Sequence, residues 1–171
     1  MQAVQVTYFD KTSDKDPERI TGETLRLAKR RGDELGIAYF VIASSTGFVA
    51  KKALDELADR VLIFVGEDGE WYDKGFLKEL ESKNIPVIFS HEVKYSYASD
   101  IQVAFRRMSE GAKVCPEIVM IAAHKDLIPT GKEVIAIAGT GSGADTSMVI
   151  VSAKSKNFRE LKIRELICKP R

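Results

Sequence analysis

With 171 residues, 44% of them hydrophobic and 30% charged, the chain is long enough to bury one core without disulfide or metal staples, and its ordinary composition argues against extended disorder. Lys and Arg number 26 against 25 Asp and Glu, so no net field draws nucleic acid or an anionic membrane, and neither is expected as a partner. Apolar stretches such as residues 118–123 fall far short of the ~20 residues of a membrane helix, and Met1-Gln2-Ala3-Val4 lacks the plan of a signal peptide. These features predict a cytoplasmic protein with a single domain over residues 1–171.

In chain order, Val4-Gln5-Val6-Thr7-Tyr8-Phe9 alternates and is rich in β-formers, which predicts a first strand followed by a polar loop over residues 10–18. Leu25, Ala28, Gly32 and Leu35 then recur on one helical face, and Gly36 ends that helix. Tyr39-Phe40-Val41-Ile42-Ala43 is an uninterrupted apolar run, the pattern of a strand buried on both faces of a parallel sheet. After the turn Ser44-Ser45-Thr46-Gly47, Ala50, Ala53, Leu54 and Leu57 mark a second helix. Residues 61–65 and 87–89 read as further strands, with Phe76, Leu77 and Leu80 on a helix between them.

Ala98, Ile101, Phe105 and Met108 predict another helical stripe, and Pro116-Glu117 suits the first turn of a helix through residue 123, although that apolar run also fits a strand. From Gly131 onward, residues 133–138, 147–151 and 161–167 are separated by turns too short for crossover helices, so they predict partly antiparallel closing strands. The expected fold is an α/β three-layer sandwich with a mostly parallel sheet and an antiparallel C-terminal edge.

Two loops carry the candidate chemistry. A buried strand running into Ser44-Ser45-Thr46-Gly47 and then a helix places hydroxyls and free N–H groups at a helix N-terminus, which is an anion site; one hydroxyl merely capping the helix explains the same residues. Gly139-Thr140-Gly141-Ser142-Gly143-Ala144 mimics the dinucleotide fingerprint, but a strand and not a helix follows it, and no Walker phosphate loop is present. This loop reads either as a flexible connection or, with Asp145, Thr146 and Ser147 beside it, as a polar clamp. Lys11 lies just past the first strand, where it adds a cation to the same edge or is simply solvated. Trp71 and Tyr72 stack on a planar ligand ring or cover a core edge or an oligomer contact.

Cys115 and Cys168 show neither a pairing pattern nor zinc spacing, so reduced structural thiols and no metal site are expected. His91 and His124 have no acid and nucleophile at motif spacing, and no catalytic residue is assigned.

The series Val41-Ile42-Ala43-Ser44-Ser45-Thr46-Gly47-Phe48-Val49-Ala50 resembles the strand, effector-phosphate loop and helix of the C-terminal α/β domain of pyruvate kinase. Residues 131–139, followed by Gly141-Ser142-Gly143 and Thr146, are similar to that domain's final strands and the loop closing over its sugar bisphosphate. The whole chain looks like a member of the stand-alone pyruvate-kinase-like α/β family of archaea and some bacteria, carried by Tyr8-Phe9-Asp10-Lys11, Ala43-Ser44-Ser45-Thr46-Gly47, Ala138-Gly139-Thr140, Gly143-Ala144-Asp145-Thr146 and the tail over residues 161–171.

That resemblance implies a ligand site on Ser44, Ser45, Thr46, Gly47, Phe48, Gly139, Thr140, Gly141, Ser142, Gly143, Ala144, Asp145, Thr146 and Lys11. Pyruvate kinase catalysis itself needs a barrel domain of ~250 residues, for which this chain has no room. Phe48 and Val49 stand where the effector loop usually has Arg and Ser, and the second loop is shorter, which favours one phosphate over two. The expected ligand is therefore a phosphorylated small molecule or mononucleotide, with flavin mononucleotide (FMN) as the candidate cofactor. An enzyme using Asp145 in the same pocket, and a regulatory or assembly subunit, are the alternatives. Homo-oligomerisation fits either.

Overall fold

The computed structural model describes residues 4–11 and 16–171. Seven strands form one sheet in the order β1-β7-β6-β5-β2-β3-β4: β1 (Thr7–Phe9), β2 (Tyr39–Ala43), β3 (Val61–Gly66), β4 (Val87–Phe89), β5 (Glu133–Ala138), β6 (Thr146–Val151) and β7 (Lys162–Pro170). Five α-helices are described, α1 (Pro17–Leu35), α2 (Phe48–Glu56), α3 (Lys74–Ser82), α4 (Ser99–Arg106) and α5 (Glu110–His124). Strands β2 to β5 run parallel, as do β1 and β7, and β6 alone is antiparallel to its neighbours β5 and β7.

Side-chain alternation along the strands builds two cores. Phe40, Ile42, Phe64, Ile135 and Ile137 pack beneath α1, α2 and α3, whereas Val41, Ile63, Val65, Ala136 and Met148 pack beneath α5. Helices on both faces make three layers, as expected for strands buried on each side. Gly32 shows how close the upper layer sits: a Cβ there would fall 2.6 Å from Phe40 Cζ. Cys115 and Cys168 are both free and buried. Burial pushes the Cys168 thiol up to about 12. No helix among the described residues is long and apolar enough to cross a membrane.

Five expectations need correcting. The antiparallel element is not an edge, because β1 adds itself in parallel beyond β7, Thr7 opposite Cys168 and Phe9 opposite Pro170, and Arg171 N donates to Phe9 O at 3.0 Å. Of the predicted residues 4–9, only Thr7–Phe9 pairs with β7, opposite Cys168–Pro170. The first loop stops at Asp16, not residue 18: the Asp16 carboxylate accepts from Glu18 N at 2.9 Å, and Pro17 occupies the first turn, a strong helix start. Most consequentially, α5 begins six residues before Pro116. Ser109 caps it by accepting from Ala112 N at 2.9 Å, and Pro116 sits inside the helix. Burial of most of α5 outweighs the roughly 3 kcal/mol that an interior proline costs. The α4 stripe is shallower than its period suggests, for Met108 lies beyond the helix and is 44% exposed.

Across the outer half of the sheet, Arg31 of α1 grips Glu165 of β7 in a fork, Nε to Oε2 and Nη2 to Oε1, each at 2.7 Å. These hydrogen bonds hold the Glu165 carboxyl below its ordinary value. A carboxylate depressed in the folded state stabilises above its unfolded pKa and loses that contribution as pH falls through the folded one. Glu165→Gln should therefore cost about 1 kcal/mol at pH 7, and the gap from wild type should close as pH drops below ~4.5. Urea denaturation at pH 7 and pH 3 reads both; an equal gap at the two values would contradict the assignment.

Candidate functional site

The parallel strands β5, β2 and β3 end side by side, and a cleft of about 440 Å³ opens beyond their carboxyl ends. Ligands are expected at this end of an open parallel sheet. The first wall grows directly from β2. Ser44 keeps one more ladder bond, its N–H donating to Val65 O at 2.8 Å, before the chain turns. Its hydroxyl then accepts from Ala50 N at 3.1 Å, capping α2 from within the loop. For Ser44 the capping reading is thus realised.

Gly47 is the N-cap, in the left-handed region at φ 85, with no side chain to bond the helix. A Cβ there would press on Phe76 and Tyr72 at 3.2 and 3.3 Å. The first-turn N–H groups at Phe48 and Val49 are the donors that a helix leaves unfilled at this end. Ser45 and Thr46 line the cleft beside them, with Ser44 and Val49. Phe48 turns away: its ring packs on the α1–α2 core, with Lys52 Nζ 5.4 Å from the ring centroid.

The Trp71-Tyr72 pair divides. Tyr72 is buried, donates from its hydroxyl to Ser44 O at 2.5 Å, and stacks on Phe76 with its centroid 6.4 Å away. Burial raises its phenol above the ordinary value. Trp71, 56% exposed, lines the cleft mouth.

The second wall is folded tightly on a buried carboxylate. Asp145 accepts from Lys11 Nζ at 2.7 Å, Thr140 N at 3.2 Å and Thr146 Oγ1 at 2.8 Å; its side chain is 3% exposed. Thr21 and Thr24 of α1 fix the loop from above, Thr21 Oγ1 accepting from Ala144 N and Thr24 Oγ1 donating to Ala144 O. At Gly139 a Cβ would lie 2.1 Å from Gly143 O, so the loop closes on itself only with glycine there. Gly139, Gly141, Ser142 and Gly143 face the cleft, while Lys11, Thr140, Ala144, Asp145 and Thr146 form the frame behind them. Lys11, read either as a cation at the ligand edge or as solvated, pairs with Asp145. A carboxylate so enclosed fixes a turn; it is not presented to a substrate.

A third wall was missing from the sequence reading. Glu110, Lys113, Val114, Glu117, Ile118 and Ile121 of α5 line the cleft, one helical face at the familiar spacing of three and four. The signal was present, but a helix started at Pro116 leaves Glu110 and Lys113 outside it. Lys113 Nζ donates to Glu117 Oε2 at 2.6 Å, and Tyr95 donates from its hydroxyl to Glu117 Oε1 at 2.5 Å. Burial first, and then Glu117, push the Tyr95 phenol far above its usual range. Arg106 binds Glu110 at 2.7 Å.

Away from the cleft, His124 Nε2 accepts from Ser155 N at 3.2 Å and lies 2.8 Å from Ser155 Oγ, so it secures the 3₁₀ turn Ser155–Glu160. Among the described residues no group of three or more His, Cys, Asp or Glu is placed to hold a metal ion. No protein-family model matches the chain.

Removing the Asp145 carboxylate would strand three donors, one of them charged. Asp145→Ala should cost about 3 kcal/mol, and Lys11→Met, which leaves the buried carboxylate without its cation, a comparable amount of about 3 kcal/mol. Denaturant midpoints measure both; an Asp145→Ala variant as stable as wild type would contradict the frame described above.

Proposed function

We propose that the protein binds a phosphorylated small molecule or mononucleotide in this cleft, and that it is a stand-alone relative of the pyruvate kinase C-terminal α/β domain without that enzyme's activity. One observation carries the reading: Ser45-Thr46 and Gly139-Gly143, the two loops on which the resemblance rests, converge on one cleft although ~90 residues separate them. A helix N-terminus, two hydroxyls and close-approach glycines supply the directional donors that a phosphate oxygen needs.

The charge around the cleft favours one phosphate. Among the described residues that line it, Glu67, Glu110 and Glu117 face one cation, Lys113, so even with Glu110 paired to Arg106 a bisphosphate would meet more acid than base. Trp71 at the mouth offers a platform for a planar ring, which keeps FMN as the ligand to test. With Asp145 enclosed by its partners, no observation favours the reading in which it acts as acid or base.

The single tryptophan makes the test direct. FMN titrated into the protein should quench Trp71 fluorescence and bind at least tenfold more tightly than riboflavin, which lacks the phosphate. Thr46→Ala should lose roughly tenfold in FMN affinity, the worth of one hydrogen bond to a charged group, and leave riboflavin unaffected. Equal binding of FMN and riboflavin would count against a phosphate subsite.

A further inference from the structure

Position 48 carries no cation, and Lys11 stands behind the second loop and does not line the cleft, which leaves open how the cleft balances a phosphate's charge. On α5, Lys113 and Glu117 stand one turn apart in the cleft wall with side chains only 13% and 15% exposed. Two charges so withdrawn from water carry a desolvation cost that an ordinary surface pair avoids. Their bonding is uneven. Both Glu117 oxygens are occupied, one by Lys113 and one by Tyr95, while Lys113 has three N–H donors and gives one to Glu117. Tyr97 further steadies this turn by donating from its hydroxyl to Lys113 O at 3.3 Å. Glu117 and Tyr95 therefore hold an ammonium with donors to spare against the cleft.

We propose that Lys113 is the cation of the binding site, meeting the ligand's phosphate from the α5 side, opposite Ser45, Thr46 and the first turn of α2. This inference rests on the phosphate reading of the cleft. It assigns to α5 the charge that pyruvate-kinase-type effector loops place at the position of Phe48. The ligand class narrows accordingly to a phosphate monoester: one ammonium and neutral donors match one phosphate, and Glu67 repels a second.

Isothermal titration with inorganic phosphate and with FMN separates this inference from the reading beneath it. Lys113→Met should weaken both probes at least tenfold and flatten the dependence of affinity on salt, while Lys113→Arg should stay within about threefold of wild type. Glu117→Gln removes the competing negative charge and keeps an acceptor for Lys113, so it should bind phosphate at least as tightly as wild type; a pair that is only architectural predicts weaker binding instead. Should Lys113→Met fail to fold, the Arg and Gln variants carry the test alone. Lys113→Met binding both probes like wild type, with Thr46→Ala impaired, would overturn the role of Lys113 and leave the phosphate site standing. Wild type binding neither probe would overturn both.

Discussion

The placement of the second loop depends on one buried carboxylate. Asp145 stands at the head of β6, where the chain reverses after β5, and its two oxygens gather a lysine from the N-terminal segment, the amide of Thr140 and the hydroxyl of Thr146. Around it the backbone comes so close that two glycines are required by space alone: a Cβ on Gly139 would strike Gly143 O, and one on Gly111 of α5 would strike Thr146 Oγ1 at 2.3 Å. A buried charge is tolerable only when it is paired and hydrogen-bonded. Once those partners are met, the loop over residues 139–145, the N-terminus of α5 and Lys11 have fixed positions relative to one another.

From that constraint the cleft follows. Strands β5 and β2 are parallel neighbours, so the loop anchored by Asp145 and the loop leaving Ala43 emerge at the same end of the sheet. Helix α5, brought close by Gly111, supplies the third wall. Each wall has a different chemistry: hydroxyls and helix N–H groups after β2, bare backbone after β5, and an ion pair with apolar neighbours on α5. In the proposed reading such a mixture would hold a small anion by directed donors more than by net charge, in keeping with a formal charge of only +1.

Much of this was legible in the sequence, for local reasons. The run Tyr39–Ala43 has the unbroken apolar character of a central parallel strand and is one, and Gly36 ends α1 in the left-handed conformation that its position suggested. Ser44, Ser45, Thr46 and the glycines of the second loop also reached the cleft. What stayed hidden depends on contacts distant in sequence. Lys11 and Asp145 are 134 residues apart, and nothing in either neighbourhood announces that they neutralise each other. Pro116 misled because a proline normally opens a helix; here packing overrides propensity, and the misplaced start concealed Lys113. The resemblance places Phe48 at the ligand by aligning it with an effector-loop Arg, whereas in the fold its ring packs on the core beside Lys52.

The central claim is that the two loops form one site. Titrating ¹⁵N-labelled protein with FMN and following backbone amides by NMR tests it most directly. The account predicts that Thr46, Phe48 and Val49 shift along a single saturation curve together with Gly141, Ser142 and Gly143, while amides of the far end of the sheet, such as Val61 and Glu133, stay still. Shifts confined to one loop, or centred on residues away from the cleft, would contradict it.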